Sequence, residues 1–190
     1  AGFGVDGVFE AMSDEVIYNQ FNTNVFGLMR VTREAIHIMR EQGGGTIIQI
    51  SSMGGRVTFP LYSLYHGTKW AVEGFTESLH YELLPLNIRL KLVEPGAIKT
   101  EFTGKSRVFV KPTDNSVYDG LVAKAEQMLQ NYAPKSEDPK KVAKTILKAA
   151  LDKSKKMRYP VGAPAPMLLW LRKRIPDSWF FGIIKSMYKI

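Results

Sequence analysis

The sequence predicts an α/β fold in which helices cover both faces of a parallel sheet. Two observations indicate this class: amphipathic helical patterns alternate with short apolar strand patterns, and they do so over all 190 residues without a repeat or low-complexity linker. Such alternation favours parallel strands, because a parallel neighbour needs a crossover connection that is usually a helix. We therefore expect a single domain over residues 1–190, with its ligand beyond the carboxyl ends of the strands.

The first half of this pattern consists of a long helix and a strand. The helix is expected to begin after Ser13, a favourable N-cap residue that is followed by two acidic residues. Its apolar positions recur at helical spacing as far as Met39, and three glycines at 43–45 end it. Residues 46–50 then form a buried apolar strand, which places Ser52 at its carboxyl end.

A second helix and strand follow, and then a less regular region. The helix is predicted over about 65–84 and the strand over 89–94, where alternation and a following proline favour extended backbone. Two further helices are expected at about 117–131 and 138–152, and a last short strand at 157–161.

Composition and charge narrow the class of protein further. The chain is 45% hydrophobic and 23% charged, and it has no cysteine, which favours a cytoplasmic location. No signal peptide opens the sequence, and no apolar run approaches the ~18 residues that a membrane-spanning helix needs. Residues 140–190 carry 13 basic and 2 acidic side chains, whereas residues 1–139 carry 13 basic and 16 acidic ones.

The basic, apolar segment 163–190 leaves several partners open. It could lie on an anionic membrane surface, form a wall of an apolar substrate pocket, or pack against a partner subunit. Simple solvation of the basic residues is the commonest alternative for such a segment. No motif for nucleic-acid binding accompanies the charge, so no nucleic-acid partner is expected.

The chemistry is carried by Tyr65 and Lys69, with Ser52 upstream. A phenol and an ammonium four residues apart lie on the same face of a helix. The positive charge then favours the ionised phenol and brings its pKa toward neutrality, as a proton donor or acceptor requires. Ser52 precedes the tyrosine by thirteen residues and follows a strand, so all three side chains are expected at one edge of the sheet.

Residues 51–75 resemble the active-site stretch of short-chain dehydrogenases/reductases, whose fold is the doubly wound, Rossmann-like parallel sheet. The resemblance implies that Tyr65 transfers the proton, that Lys69 lowers the pKa of the phenol and binds the nicotinamide ribose, and that Ser52 holds the substrate oxygen. It also implies that Asn24, in the segment Asn24-Val-Phe-Gly27, fixes a water of a proton relay. No metal is expected.

The same resemblance implies a cofactor, NAD or NADP, and the residues that contact it. The family pattern Pro-Gly-x-x-x-Thr is met by Pro95, Gly96 and Thr100, and Ile98 is expected at the carboxamide beside Thr100. Gly2 matches the end of the family's Asn-Asn-Ala-Gly segment. The glycine-rich nucleotide-binding half that precedes this segment is not among these residues, and the match of residues 2–7 to Gly-x-Gly-x-x-Gly is expected to be accidental because no strand precedes it.

The expected activity is NAD(P)(H)-dependent interconversion of a secondary alcohol and a carbonyl, on a small and lipophilic substrate. Residues 101–135 are expected to cover that substrate as a lid. The two long helices are expected to pair subunits into a homodimer or homotetramer. The alternative is a truncated or inactive homologue that acts as an interaction or oligomerisation module through the same helices.

Overall fold

The computed structural model describes residues 2–112 and 116–190. Within these residues the strands are β1 (Gly4–Gly7), β2 (Gly45–Ile50), β3 (Ile88–Pro95), β4 (Arg107–Val110) and β5 (Arg158–Val161). The helices are α1 (Asp14–Phe21), α2 (Leu28–Glu41), α3 (Ser63–Leu83), α4 (Asp119–Tyr132), α5 (Pro139–Leu151), α6 (Ala165–Arg172) and α7 (Asp177–Tyr188).

All strand pairs are parallel, as the alternating pattern predicts. One sheet has the order β2-β3-β5, and a second consists of β1 and β4. In the larger sheet Ile50 is level with Val93, and Pro95 is level with Val161. The strands thus end at a common edge, which places Ser52 and the turn after β3 side by side. In the part of the chain that the structure describes, β2 pairs only with β3 and its other edge is open.

Helices cover both faces of this sheet. Ile88 and Leu90 of β3 pack on Leu79 and Leu83 of α3. Val93, whose side chain alternates to the opposite face, belongs to a separate core cluster with Ala149 of α5, Tyr159 and Val161. The prediction of a doubly wound sheet is therefore confirmed.

The small sheet of β1 and β4 was not predicted from sequence. Its strands are only four residues long, and β1 begins and ends in glycine, a residue depleted in strands. A buried ion pair holds them together: the guanidinium of Arg107 donates to both carboxylate oxygens of Asp6, at 2.6 Å and 2.8 Å. Because residues 4–7 form a strand and α1 begins only at Asp14, the glycines here do not open a helix, as expected for an accidental motif match.

The first long helix is also less regular than predicted. A π-helical stretch over Asn22–Gly27 separates α1 from α2. Asparagine competes for backbone hydrogen bonds, and π-bulges occur frequently at functional sites. The sequence pattern predicts one continuous helix because the apolar residues keep almost the same spacing through the π-helical stretch.

The carboxyl-terminal segment folds into the two short helices α6 and α7. They pack on each other and on Val57 through a cluster that includes Leu168, Leu169, Phe180 and Ile184. No helix among the described residues combines the length and apolar character needed to cross a bilayer.

Candidate active site

A cavity of about 720 Å³ lies at the carboxyl edge of the larger sheet. Eight of the nine site residues predicted from sequence line it: Gly2, Ser52, Tyr65, Lys69, Pro95, Gly96, Ile98 and Thr100. Asn24 does not line the cavity. Chain segments that are far apart in sequence therefore converge on one chamber.

Tyr65 lies in the first turn of α3 and is 8% exposed. Burial raises the pKa of its phenol to about 12, and interaction with the Ser52 side chain opposes this rise. The net shift is upward because desolvation of the phenolate is the largest effect, while the Lys69 ammonium lies 5.9 Å from the ring centroid. At neutral pH the phenol is therefore protonated and can donate. The expected contribution of Lys69 in favour of the phenolate stays a prediction.

Lys69 lies one helical turn beyond Tyr65, with its ammonium group at the cavity wall. Burial lowers its pKa to about 8, and the carboxylate of Glu73 opposes this change. The Nζ atom donates to the backbone carbonyl of Ile50, at 3.1 Å. An ammonium has three donors, so donors remain for hydroxyl groups of a ligand in the cavity.

Ser52 is positioned by its own backbone turn. Its Oγ atom accepts a hydrogen bond from the Gly54 N–H at 3.0 Å and begins a single 3₁₀ turn. The hydroxyl hydrogen is free to point elsewhere, since this contact uses only a lone pair. Ser51 also lines the cavity, but it is only 3% exposed and its Oγ has no hydrogen-bond partner among the described residues.

The turn after β3 is fixed by backbone hydrogen bonds that the two neighbours of Ile98 donate. The Ala97 N–H donates to the Ala163 carbonyl, and the Lys99 N–H donates to that of Glu137, each at 2.9 Å. Within the described residues, the Ile98 N–H donates no hydrogen bond. A cavity-lining amide without a partner is a suitable donor for a carboxamide, which is the group expected here.

Asn24 lies behind the cavity in the π-helical stretch and is 4% exposed. Its amide donates to the Phe3 carbonyl at 3.0 Å and to Thr68 Oγ1 at 3.2 Å, and its oxygen accepts from the Phe3 N–H. Gln20, one turn earlier, also donates to the Phe3 carbonyl. The side chain of Asn24 is thus occupied by protein groups, and it holds the segment that carries Gly2 against α3.

Gly2 has a backbone conformation that favours glycine. Its φ is +140°, and a Cβ at this position would lie 3.1 Å from Asn24 Oδ1. Bare backbone therefore reaches the cavity beside Tyr65 and Lys69. Ala1, which precedes it in the family motif, lies outside the described residues.

The sequence reasoning missed His66. Its Nδ1 atom lies 3.0 Å from the Gly54 carbonyl, and its Nε2 accepts from the Phe59 N–H at 3.0 Å. Together these contacts fix the neutral imidazole with its proton on Nδ1, and burial lowers its pKa to about 4. His66 thereby joins the loop after Ser52 to the start of α3.

Phe102 was also missed, although it lies in the predicted lid region. Its ring packs on that of Tyr65 with centroids 5.2 Å apart, and it also lies against the backbone of Gly4. In this structure the predicted lid region contains the turn at 101–103, β4 and α4. Residues 113–115 of the same region lie outside the described residues.

Apolar side chains form most of the remaining wall. They come from the loop after Ser52 and from four helices, and include Phe59, Met128, Leu129, Val142, Ile146, Leu168 and Met187. The chamber thus combines a few polar groups with a mostly apolar surface, which is the usual composition of a small-molecule site.

Comparison with known proteins agrees with this arrangement. The sequence model of the short chain dehydrogenase family matches residues 1–110. An uncharacterized oxidoreductase of Schizosaccharomyces pombe is 38% identical over 185 residues, which are 96% of this chain and 76% of that protein. A 3-ketodihydrosphingosine reductase of Bacteroides thetaiotaomicron is 30% identical over 192 residues, covering 100% of this chain and 71% of the relative.

Solved structures share the fold. A short-chain dehydrogenase from Streptomyces avermitilis superposes with a TM-score of 0.81 at 32% identity, over 97% of this chain and 66% of that one. ElxO with NADPH bound gives a TM-score of 0.64 at 26% identity, over 84% of this chain and 62% of its own. The chain thus spans about two thirds of the length of these structures. It belongs to the short-chain dehydrogenase/reductase family of NAD(P)-dependent oxidoreductases.

Proposed function

We propose that the protein containing this chain interconverts a secondary alcohol and a carbonyl compound with Tyr65 as general acid and base. One observation carries the proposal: Ser52, which follows β2, and Tyr65 and Lys69, which lie one turn apart on α3, line a single cavity. A hydroxyl, a phenol and an ammonium are the groups needed to bind a carbonyl oxygen and to give it a proton.

The residues present fit a nicotinamide cofactor. Lys69 retains free donors in the cavity, the Ile98 amide has no partner within the described residues, and Gly2 brings bare backbone to the wall. We assign the ribose hydroxyls to Lys69 and the carboxamide to Ile98 and Thr100. When bound, the cofactor supplies or accepts the hydride of the reaction. NAD and NADP are both open.

In the reducing direction the protein's own groups act in a defined order. Ser52 donates a hydrogen bond to the carbonyl oxygen and holds it beside Tyr65. The phenol, protonated at neutral pH, gives its proton to that oxygen as negative charge develops on it. Lys69 then favours the phenolate that remains, and its own pKa near 8 allows it to pass on a proton as the phenol is restored.

Asn24 acts in this scheme as a positioning residue. Its hydrogen bonds to Phe3 and Thr68 tie the segment of Gly2 to the helix that carries Tyr65 and Lys69. If a relay water is present here, backbone atoms of the π-helical stretch are left to hold it, since the Asn24 side chain is already paired.

A lipophilic substrate follows from the apolar walls of the chamber. Side chains of α4, α5, α6 and α7 contribute apolar atoms to these walls. The relative named 3-ketodihydrosphingosine reductase supports a ketone on a long-chain lipid as one candidate. We expect kcat/KM to rise with the chain length of an aliphatic ketone until the chamber is filled.

The test is Tyr65→Phe in the full-length protein, with NADH and NADPH and a series of ketones. Loss of general acid catalysis lowers kcat by about 10²–10⁴-fold, while binding of the reduced cofactor, measured by its fluorescence, stays within a few fold. Tyr81→Phe, an exposed tyrosine on the same helix, is the matched control and should change neither. Near-normal turnover of Tyr65→Phe would overturn the assignment.

We further propose that the long helices pair subunits. Large apolar side chains are exposed on α2 and α3: Val31 at 72%, Ile38 at 57% and Trp70 at 46%. Val31→Glu should lower the mass measured by light scattering to that of a smaller assembly. The interaction-module alternative predicts the same mass change, but it predicts no turnover by the wild-type protein with any ketone.

A further inference from the structure

The helix pair α6–α7 is apolar on both of its sides. Its inner side forms a core cluster through Leu168, Leu169, Phe180 and Ile184. Four further apolar side chains of the two helices are exposed to solvent and are hereafter called the outer face: Met167, Trp170, Trp179 and Ile183, at 64%, 57%, 69% and 37%. A helix that is apolar all round is normally covered on every side, so the outer face needs a partner.

Basic side chains surround this outer face. The guanidinium of Arg174 lies 5.0 Å from the centroid of the Trp170 ring. Arg172 instead pairs with Asp177 and lies over the ring of the buried Phe180. Lys173, which directly follows α6, and Lys185 of α7 are also exposed. Cations stacked on aromatic rings can keep their charge at a polar boundary while the rings enter an apolar layer.

The charge distribution selects among possible partners. Residues 163–190, which contain both helices, carry five basic side chains and one acidic side chain, a net charge of +4, so two copies meeting through this segment would repel each other. A chain segment that extended the sheet would join it at the open edge of β2, whereas α6 packs against β5 at the other edge. An anionic lipid surface matches both the charge and the apolar side chains.

We propose that the outer face of α6–α7 binds the surface of an anionic lipid bilayer, with Trp170 and Trp179 inserted at the level of the headgroups. The same helices supply Leu168, Met187 and Tyr188 to the cavity wall. Binding would therefore place that wall against the bilayer. The inference concerns association with lipid and is independent of the oxidoreductase chemistry proposed above.

Vesicle binding tests the proposal on the full-length protein. Vesicles of phosphatidylcholine with 30 mol% phosphatidylserine should sediment the protein at low salt, and vesicles of phosphatidylcholine alone should bind it weakly. In a Trp70→Phe background, which leaves Trp170 and Trp179 as the reporters within this chain, emission should shift to the blue as binding saturates.

Variants distinguish the contribution of the inserted tryptophans to vesicle binding from that of the basic side chains. Trp170→Ser and Trp179→Ser should each weaken binding roughly tenfold, because each removes a large apolar side chain that insertion into the bilayer would bury. Lys173→Gln and Arg174→Gln should each weaken it about fivefold, in a salt-dependent way. Tyr81→Ser, 67% exposed on α3, and Arg33→Gln, exposed on α2, are the controls and should bind normally.

Two results would overturn the proposal. One is absence of binding to the phosphatidylserine vesicles at low salt. The other is a Trp179→Ser variant that binds vesicles normally but shows a smaller mass by light scattering, which would assign the outer face to contact between copies. Because no catalytic residue is changed and no turnover is measured, failure here leaves the proposed activity untouched.

Discussion

The buried ion pair between Asp6 and Arg107 should anchor the small sheet and, through it, the start of the lid region. The side chains of the two residues are 3% and 21% exposed, and the guanidinium contacts both carboxylate oxygens. β1 and β4 pair only with each other in the part of the chain described. Asp6→Asn would leave the guanidinium without its counter-charge at this junction.

The cost can be estimated from the geometry. Removing one partner of a fully buried pair costs about 3–5 kcal/mol, mainly because the other charge is left unpaired. Arg107 is one-fifth exposed, so water recovers part of this, and we expect a loss of about 2–3 kcal/mol in the free energy of unfolding. For a protein of this size that corresponds to a fall of roughly 5–10 °C in Tm.

Urea unfolding of the full-length protein measures the global loss, and limited proteolysis measures local opening at 101–112. Asp6→Leu/Arg107→Met should recover most of the stability, since neither charge is then buried alone. Glu34→Gln, which removes the exposed ion pair of α2, should cost less than about 0.5 kcal/mol. The reasoning is refuted if Asp6→Asn costs no more than this control and cleavage within 101–112 is not accelerated.

Three further predictions concern the site. Because the pKa of His66 is about 4 when folded and 6.5 when exposed, the unfolded chain binds more protons between these values, and stability should fall by up to about 3 kcal/mol as the pH is lowered from 6.5 to 4. Urea unfolding across this range should show a flatter profile for His66→Asn; equal profiles would contradict the assignment. Gly4→Ala places a Cβ 2.6 Å from the Phe102 ring and should displace that ring from Tyr65, changing KM by more than kcat in steady-state assays. Ser52→Ala should lower kcat by about 10²-fold with little change in Tm, Ser52→Thr should restore part of the rate, and a Thr variant no better than Ala would argue against a role for the hydroxyl.

The sequence alone determined the larger elements and most of the site. Periodicity located α3, α5, β2 and β3, because each buries one continuous face or stripe and leaves a regular pattern. The spacing of Tyr65 and Lys69 and the position of Ser52 after a strand were enough to place them together, since parallel strands end at one edge. The residues proposed to contact the ligand could be predicted because they follow strands, and local sequence pattern locates the ends of strands.

Only the tertiary structure decided the remaining features, because they depend on contacts between distant parts of the chain. β1 and β4 are joined by an ion pair between two residues about a hundred positions apart in the sequence. Strands of four residues carry too little sequence pattern to be recognised. The raised pKa of Tyr65 reflects burial, a quantity that sequence spacing does not contain. His66 gains its role from two backbone groups of another loop, and Phe102 from the bare backbone of Gly4. The sequence indicated the groups that we propose to react, whereas packing determines how deeply they are buried and which side chains surround them.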